Sequence, residues 1–176
     1  MKKTITITEA LAEIKLLTQK VADKQANICN YVAMPSDKRD PLDKQGGSES
    51  YVAAEMQSVR DILERIVQIR LAINQCNAAT TLEVDGVKKT VAEWLIWNRD
   101  YCPYALMTLR QIYQRINSER SKLQGRSIVT GQTKPDDIIV NLSEKDLMAE
   151  IEALNQTSGK LDGMLSLNNA TVTIEV

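Results

Sequence analysis

Apolar residues recur at alternating steps of three and four along most of this chain, in four stretches separated by segments rich in proline, glycine and charge. This spacing places the apolar side chains on one stripe of an α-helix, and such stripes pack against each other in helical bundles. The 176 residues suffice for one domain and are too few for two of ordinary size. We therefore expect a mostly α protein with one domain over residues 1–176, folded as an elongated antiparallel four-helix bundle with coiled-coil packing.

The first two predicted helices are separated by a loop. Helix one begins at Thr6 and Glu9, which have the spacing of a capping box, and helix two runs from about Ser50 to Ala79. The segment of about residues 34–49 holds two prolines and two adjacent glycines among charged residues, so we expect a mobile loop there. The predicted seams are Leu11, Ile14, Thr18, Val21, Gln25, Ile28 and Val32 in helix one, and Val59, Ile62, Ile66, Ile69, Ile73 and Cys76 in helix two, with Leu63, Val67 and Leu71 on a broad buried face beside the second.

Short strands are predicted where the helices meet. Asp85 and Gly86 lie between two valines, the usual composition of a tight turn, which predicts a small β-hairpin between helices two and three. The alternating segments TITIT and TVTIEV, near the two ends of the sequence, predict an antiparallel ribbon that pairs the termini. A further short strand is predicted at IIVNL, residues 138–142.

Helices three and four complete the predicted bundle. Helix three begins at a second capping box, Thr90 and Glu93, and continues in phase through a kink near Arg99–Pro103, because proline cannot donate to the preceding turn. A loop at about residues 125–142 leads to helix four, which begins at Ser143. The predicted seams are Val91, Leu95, Asn98, Cys102, Ala105, Leu109, Ile112 and Ile116 in helix three, and Leu147, Ile151, Leu154, Ser158, Leu161 and Leu165 in helix four.

Four of the seven aromatic residues form a second stripe beside the seam of helix three, namely Trp94, Trp97, Tyr101 and Tyr104. These residues either cover a neighbouring helix of the same chain or contact a second molecule. Trp and Tyr are enriched at interfaces, and a helix with two apolar stripes must be covered on both. The stripe is therefore our candidate oligomer or partner interface, and we expect a homo-oligomer.

The composition removes most familiar catalytic chemistry. The chain has no His, which excludes Ser-His and Cys-His nucleophile pairs and the commonest zinc sites. Cys29, Cys76 and Cys102 are far apart, and the sequence has no Gly-rich phosphate loop or nucleophile elbow. We predict a non-enzymatic structural or assembly protein with no catalytic residue, cofactor or metal site, and a carboxylate-metal enzyme is the alternative from this inventory.

Charge and hydropathy indicate the partners and the location. The 22 basic and 23 acidic residues give a net charge of -1, so no overall attraction to nucleic acid is expected. Arg99–Arg126 holds six basic against two acidic residues, and residues 136–176 hold two basic against eight acidic ones. We expect helix four to lie against helix three or both charged faces to be solvated, with a nucleic-acid-binding groove as the weaker alternative. The sequence contains no run of 18 apolar residues, so it predicts no membrane-spanning helix. We expect a cytoplasmic protein, or a virion component if the chain is phage-encoded.

The most distinctive segment is Ile69–Asp100, IRLAINQCNAATTLEVDGVKKTVAEWLIWNRD. It resembles the septicolysin-like family of small helical proteins from bacteria and phages. The matching positions are Ile73, Asn74, Asn77, Ala78, Ala79, Thr80, Asp85, Gly86 and Thr90. The resemblance implies a helical, self-associating protein, and the family name implies a membrane-active cytolysin as the alternative. We favour phage or virion assembly as the context, with other assembly or virion proteins as further partners.

Part of the same segment has a structural interpretation of its own. Its small alanines allow close backbone approach, and its amide and hydroxyl groups can satisfy the last carbonyls of helix two. We therefore predict a structural corner formed by Asn74, Asn77, Thr80, Asp85 and Gly86.

Overall fold

The structure, a computed structural model, describes residues 3–130 and 138–176. The elements are β1 (Thr4–Thr6), α1 (Ile7–Tyr31), α2 (Ser48–Ala79), β2 (Thr81–Val84), β3 (Val87–Thr90), α3 (Val91–Ile96), α4 (Cys102–Thr130), α5 (Glu144–Thr171) and β4 (Thr173–Glu175), with a 3-10 turn at Asp43–Gln45 and a π-helical turn at Trp97–Tyr101. β1 pairs with β4 and β2 pairs with β3, both antiparallel. The mostly α class, the hairpin between helices two and three, and the ribbon that pairs the termini are confirmed.

The chain divides into two compact units. Unit 1 is Met1–Asn77 together with Ser166–Val176, and unit 2 is Ala78–Leu165. Unit 1 holds α1, nearly all of α2 and the β1–β4 pair, whereas unit 2 holds the β2–β3 pair, α3, α4 and most of α5. The single domain over residues 1–176 stays a prediction.

In unit 1 the helices α1 and α2 run antiparallel. Lys24 Nζ lies 3.0 Å from Glu55 Oε1, and Arg65 Nε lies 3.1 Å from Glu13 Oε1. The later residue of α1 thus meets the earlier residue of α2, which fixes the antiparallel direction. These ion pairs are partly shielded from water, and each joins the two helices across their seam.

In unit 2 the helices α4 and α5 are also antiparallel. Arg120 Nη1 donates to Glu144 Oε2 at 2.8 Å, and Arg110 Nη2 donates to Asn155 Oδ1 at 3.2 Å. Helix α5 begins directly after Ser143, as predicted. The Ser143 hydroxyl accepts from the backbone N–H of Asp146, the third residue of the helix, and so caps its N-terminus. The predicted α5 seam is confirmed as buried or half-buried at Leu147, Ile151, Leu154, Ser158, Leu161 and Leu165.

The β1–β4 ribbon organises the core of unit 1. Ile5 pairs with Ile174, and the N–H of Ile7 donates to the carbonyl of Val172 at 3.2 Å. The capping box is present, because the N–H of Glu9 donates to the Thr6 hydroxyl and the Glu9 carboxylate accepts from the Thr6 N–H. The buried cluster beneath this junction is Ile5, Ile7, Ala10, Ile14, Ile69, Ile73 and Ile174.

The β2–β3 hairpin organises the core of unit 2. Its turn is Asp85 and Gly86, with φ of 51° and 78°, and the N–H of Val91 donates to the carbonyl of Thr80 at 2.8 Å. The second capping box is also present, at Thr90 and Glu93. The buried cluster here is Val84, Val91, Trp94, Leu161 and Leu165.

The two junctions are an internal repeat, which the sequence analysis missed. Residues 77–84, NAATTLEV, and residues 169–176, NATVTIEV, are identical at five of eight positions and form the helix end and strand of each ribbon. Each partner strand ends at a threonine that begins a capping box, Thr-Ile-Thr-Glu after β1 and Thr-Val-Ala-Glu after β3. Each unit is therefore built on the same ribbon-to-helix motif, closed by a two-residue turn in unit 2.

The predicted α1 seam is wrong at every second position. Ala10 is fully buried, whereas the adjacent Leu11 is 46 % exposed. Ala10 suits a seam position because its small side chain lets the two helices approach. Lys24 suits one because its aliphatic stem is covered while its ammonium reaches the Glu55 carboxylate. The seam keeps the predicted Ile14, Val21 and Ile28, and replaces Leu11, Thr18, Gln25 and Val32 by Ala10, Leu17, Lys24 and Tyr31.

The α2 seam is confirmed, but the broad buried face beside it is not. The residues predicted on the seam, from Val59 to Cys76, are all buried or half-buried. Leu63, Val67 and Leu71 are 46 %, 55 % and 54 % exposed. The physical reason is that α1, which pairs with α2 in unit 1, covers one strip of α2 and leaves the adjacent face open.

A π-helical turn stands where the kink near Arg99–Pro103 was predicted. The N–H of Cys102 donates to the carbonyl of Trp97, five residues back, and Pro103 has no N–H to donate. The helix continues beyond this turn, so the prediction of one interrupted helix rather than two separate ones is confirmed.

The π turn shifts the seam of helix three, so the predicted unbroken heptad is wrong. The turn takes up an extra residue, and the seam runs through Val91, Trp94, Asn98 and Cys102 with two successive steps of four. Leu95, predicted on the seam, is 42 % exposed. Trp94 takes its place.

The connection from α4 to α5 also differs from its prediction. Residues 125–130 are helical, because a single glycine costs only about 1 kcal/mol in a helix and does not end it. Residues 138–142 form no strand, since strand propensity needs a neighbouring strand and the described chain offers none there. Residues 131–137 of the predicted loop lie outside the described residues. Between α1 and α2 the loop is confirmed apart from the 3-10 turn, and its mobility stays a prediction.

Gly159 and Gly163 lie within α5, with nothing within 4 Å of the point where a Cβ would stand. Gly159→Ala and Gly163→Ala should each raise the free energy of unfolding by about 0.5–1 kcal/mol, because glycine loses the most backbone entropy in a helix. Urea unfolding followed by circular dichroism measures this. Gly86→Ala is the matched control and should lower stability, because Gly86 has a φ of 78°. A loss of stability at all three positions would contradict the prediction.

Candidate interface in unit 2

Trp94 is a core residue rather than part of a surface stripe. It is 2 % exposed, and its Nε1 donates to the carbonyl of Leu82 at 3.1 Å. Lys89 places its ammonium 4.9 Å from the centroid of the same ring. The interpretation in which the aromatic residues cover their own chain therefore holds for Trp94.

The next three aromatic residues lead from this core to the surface. The Trp97 ring meets Trp94 edge to face with centroids 5.6 Å apart, and stacks on Tyr101 at 6.0 Å. Trp97 is half-buried, whereas Tyr101 is 56 % and Tyr104 is 63 % exposed. The structure thus joins the first three rings in one row and leaves both tyrosines accessible.

A groove of 330 Å³ lies beside the exposed tyrosines. The Asp100 carboxylate at its edge is neutralised by Arg99, whose Nη2 lies 2.7 Å away. Glu150 forms no ion pair with any described residue, so its charge is left uncompensated. We call this surface the tyrosine flank, defined by Tyr101, Tyr104, Ala105, Thr108, Leu109 and Glu150.

A second groove, of 540 Å³, lies on the other side of the α4 seam. Met107 is 49 % exposed there, and the Arg110 guanidinium donates to Asn155 but meets no carboxylate in the described chain. Asn98 borders the groove, accepts from the Ser158 hydroxyl and donates to Asp162, as expected of a seam residue. We call this surface the arginine flank, defined by Asn98, Pro103, Leu106, Met107, Arg110 and Gln114.

The predicted corner residues are only partly brought together. Asn74 is exposed, and Thr80 contributes its carbonyl to Val91. Asn77 is 9 % exposed, and its Oδ1 has no hydrogen-bond partner. This oxygen is an acceptor and cannot bond the helix carbonyls, which need a donor, so the predicted satisfaction of the helix end by Asn77 stays a prediction.

Asp85 and Gly86 form a corner of a more specific kind. The Asp85 carboxylate accepts from Lys160 Nζ and, at 2.8 Å, from the Thr157 hydroxyl, both on α5. These hydrogen bonds, with that of Lys160 the larger cause, hold the pKa of the Asp85 carboxyl below its usual range. The turn is thereby fixed to α5 by charge as well as by packing.

Asn168 is a buried polar residue that the sequence analysis missed. It is 6 % exposed in unit 1, and its Nδ2 has no hydrogen-bond partner. The predicted α5 stripe stops at Leu165, and one further step of three along that stripe reaches Asn168. Extending the periodicity through a polar residue would have found it.

Both predicted arrangements of the charged helices occur. Arg120 pairs with Glu144 and joins basic α4 to acidic α5. Arg115 and Lys122 instead pair with Glu119 on α4 itself. Opposite charges on α4 and α5 therefore pair at Arg120 and Glu144, whereas the neighbouring basic residues of α4 pair within their own helix.

No family model, curated protein or solved structure matches the chain. Among residues 3–130 and 138–176, no three Cys, Asp or Glu side chains are grouped so that they could hold a metal ion. No helix in these same ranges has the length and apolar content needed to span a bilayer. The interpretation of the two flanks therefore depends on their own geometry and charge.

Trp94 and the exposed tyrosines should respond oppositely to truncation. Trp94→Ala should lower the free energy of unfolding by about 3–5 kcal/mol, because it opens a cavity and leaves the Leu82 carbonyl without its donor. Tyr104→Ala, at a 63 % exposed position, should change the stability of the isolated chain by about 0.5 kcal/mol or less. Thermal unfolding at low protein concentration measures both. Equal losses would show that Tyr104 also belongs to the core.

The Asp85 carboxylate should give stability that disappears in acid. Its folded pKa lies below the ordinary value of 3.8 for an aspartate, so its contribution is present above that value and is lost as the pH falls through the folded pKa. Asp85→Asn keeps the turn, because Asn tolerates a positive φ, and should lower the urea midpoint at pH 7. The difference from wild type should shrink below about pH 4. Asp37→Asn, at an exposed loop position, is the control, and a difference for Asp85→Asn that is constant with pH would contradict the prediction.

Proposed function

We propose that this is a non-enzymatic structural or assembly protein that self-associates through the helical pair α4 and α5. The observation that carries the proposal is the incomplete burial of the seam between these helices. Apart from the buried Cys102 and Leu147, this part of the seam is only half-buried, at Ala105, Leu109, Ile112, Ile116, Ile151 and Leu154. Two helices alone leave such residues partly exposed to water, and a further helical surface packed on the pair would cover them.

The exposed tyrosines support the same proposal. Tyr101 and Tyr104 border a groove beside this half-buried seam. Tyrosine combines a large apolar ring with a hydroxyl that stays hydrogen-bonded, which suits an interface that is dry at its centre and polar at its rim. The contact surface proposed from Trp94, Trp97, Tyr101 and Tyr104 is therefore reduced to its last two members, with Trp97 behind them.

The bundle geometry is part of the proposal. Antiparallel pairing at heptad spacing within each unit supports coiled-coil packing of each pair, and the elongated antiparallel four-helix bundle stays a prediction. Further partners would be other assembly or virion proteins, in the cytoplasm or in a virion.

The test compares the solution mass of the wild type with that of Tyr101→Ala/Tyr104→Ala. Light scattering should give a multiple of 19.7 kDa for the wild type at micromolar concentration. The variant should stay folded with lower mass, because truncating interfacial aromatics costs about 2 kcal/mol or more, roughly a 30-fold weaker association.

The matched control is Leu63→Ala/Val67→Ala, which removes two exposed apolar side chains from α2 in unit 1. Its mass should equal that of the wild type. A wild type that is monomeric at micromolar concentration contradicts the proposal, and so does a tyrosine variant that keeps the wild-type mass.

A further inference from the structure

The two flanks of the α4–α5 pair carry opposite uncompensated charges. On the tyrosine flank the uncompensated charge is Glu150, because Asp100 is already paired with Arg99. On the arginine flank it is Arg110, whose guanidinium contacts only the neutral amide of Asn155. Neither Glu150 nor Arg110 meets an opposite charge in the described part of the chain.

The flanks are also complementary in their remaining chemistry. The tyrosine flank presents two exposed rings, Tyr101 and Tyr104. The arginine flank presents the apolar Pro103 and Met107, and a methionine sulfur packs favourably against an aromatic ring. The Gln114 amide beside them offers a hydrogen-bond donor and acceptor for a tyrosine hydroxyl.

Helical spacing places the flanks on opposite sides of the α4 seam. Tyr101 and Tyr104 lie on one side of Cys102, and Pro103 and Met107 lie on the other. One copy cannot bring its own flanks together, and a two-fold dimer cannot join both at once. A contact of either flank with its own counterpart would bring like charges toward each other, which is unfavourable in a partly dry interface.

We propose that the tyrosine flank of one copy docks on the arginine flank of a second copy, with Glu150 of one facing Arg110 of the other. This inference rests on the proposed self-association and specifies its geometry. The contact is head-to-tail, and each docking leaves one flank of each kind free at the ends. The protein therefore grows into a ring or a filament rather than stopping at two chains.

The test reverses each charge separately in the full chain. Arg110→Glu and Glu150→Arg should each weaken association at least 10-fold, because each places like charges at every contact. An equimolar mixture of the two variants should assemble again, since every contact in it can pair opposite charges. The double variant Arg110→Glu/Glu150→Arg should also assemble alone. Sedimentation velocity measures all four samples, and circular dichroism confirms their helix content.

Two charge reversals in unit 1, Lys20→Glu and Glu64→Arg, are the controls, because both residues are exposed there. They should leave the mass unchanged. Arg110→Gln and Glu150→Gln remove each charge with little change in shape and should weaken association less than reversal does.

The outcomes separate this inference from the proposed function. A wild type that is monomeric overturns both. A wild type that associates while the single reversals associate equally well, or whose mass stops at two chains, overturns the head-to-tail contact alone. Single reversals that dissociate but do not assemble on mixing also overturn it.

Discussion

Two antiparallel helices cover only one strip of each other, and this constraint governs the rest of the structure. Near the ribbons a third element closes the seam, so Ile69 and Leu161 are completely buried. Farther from the ribbons the seam is less covered, and Ile66 and Leu154 are only half-buried. Each unit is therefore well packed at its junction and less covered along its helices, and the proposed association would cover the exposed part of the α4–α5 pair in unit 2.

The ribbon-to-helix junction fixes where each helix starts and which face it buries. A threonine ends the strand, accepts from the backbone of the glutamate three residues later, and begins the helix at Ile7 or Val91. Each capping threonine contributes about 1 kcal/mol, and its larger effect is to fix the rotation of the helix about its axis. The first residue after the cap is buried in both units, so the seam is counted from that residue.

This explains how much of the structure the sequence predicts. The boundaries that followed from local chemistry visible in the sequence are the capping pairs, the Asp85–Gly86 turn and the Ser143 cap, whereas the end of α4 was placed too early. The rotation of the helices was predicted less well, because hydropathy favours Leu11 over Ala10, whereas burial depends on which residue faces the partner.

The candidate site was affected in the same way. The π turn is a backbone response to Pro103 that adds a residue to the seam, and no hydropathy pattern shows it. It moves the seam from Tyr101 to Cys102 and so leaves Tyr101 outside, whereas Trp94 precedes the turn and is buried three residues after Val91. The aromatic stripe was therefore found from the sequence, but its division into core and surface was not, and the charges of Arg110 and Glu150 became relevant only when the two grooves were seen.

The central claim is that the chain covers the half-buried seam between α4 and α5 by associating with itself. Sedimentation equilibrium of the wild-type protein over a dilution series tests it most directly. Self-association predicts a mass above 19.7 kDa at micromolar concentration that falls toward 19.7 kDa on dilution. A mass of 19.7 kDa at every concentration would contradict the claim.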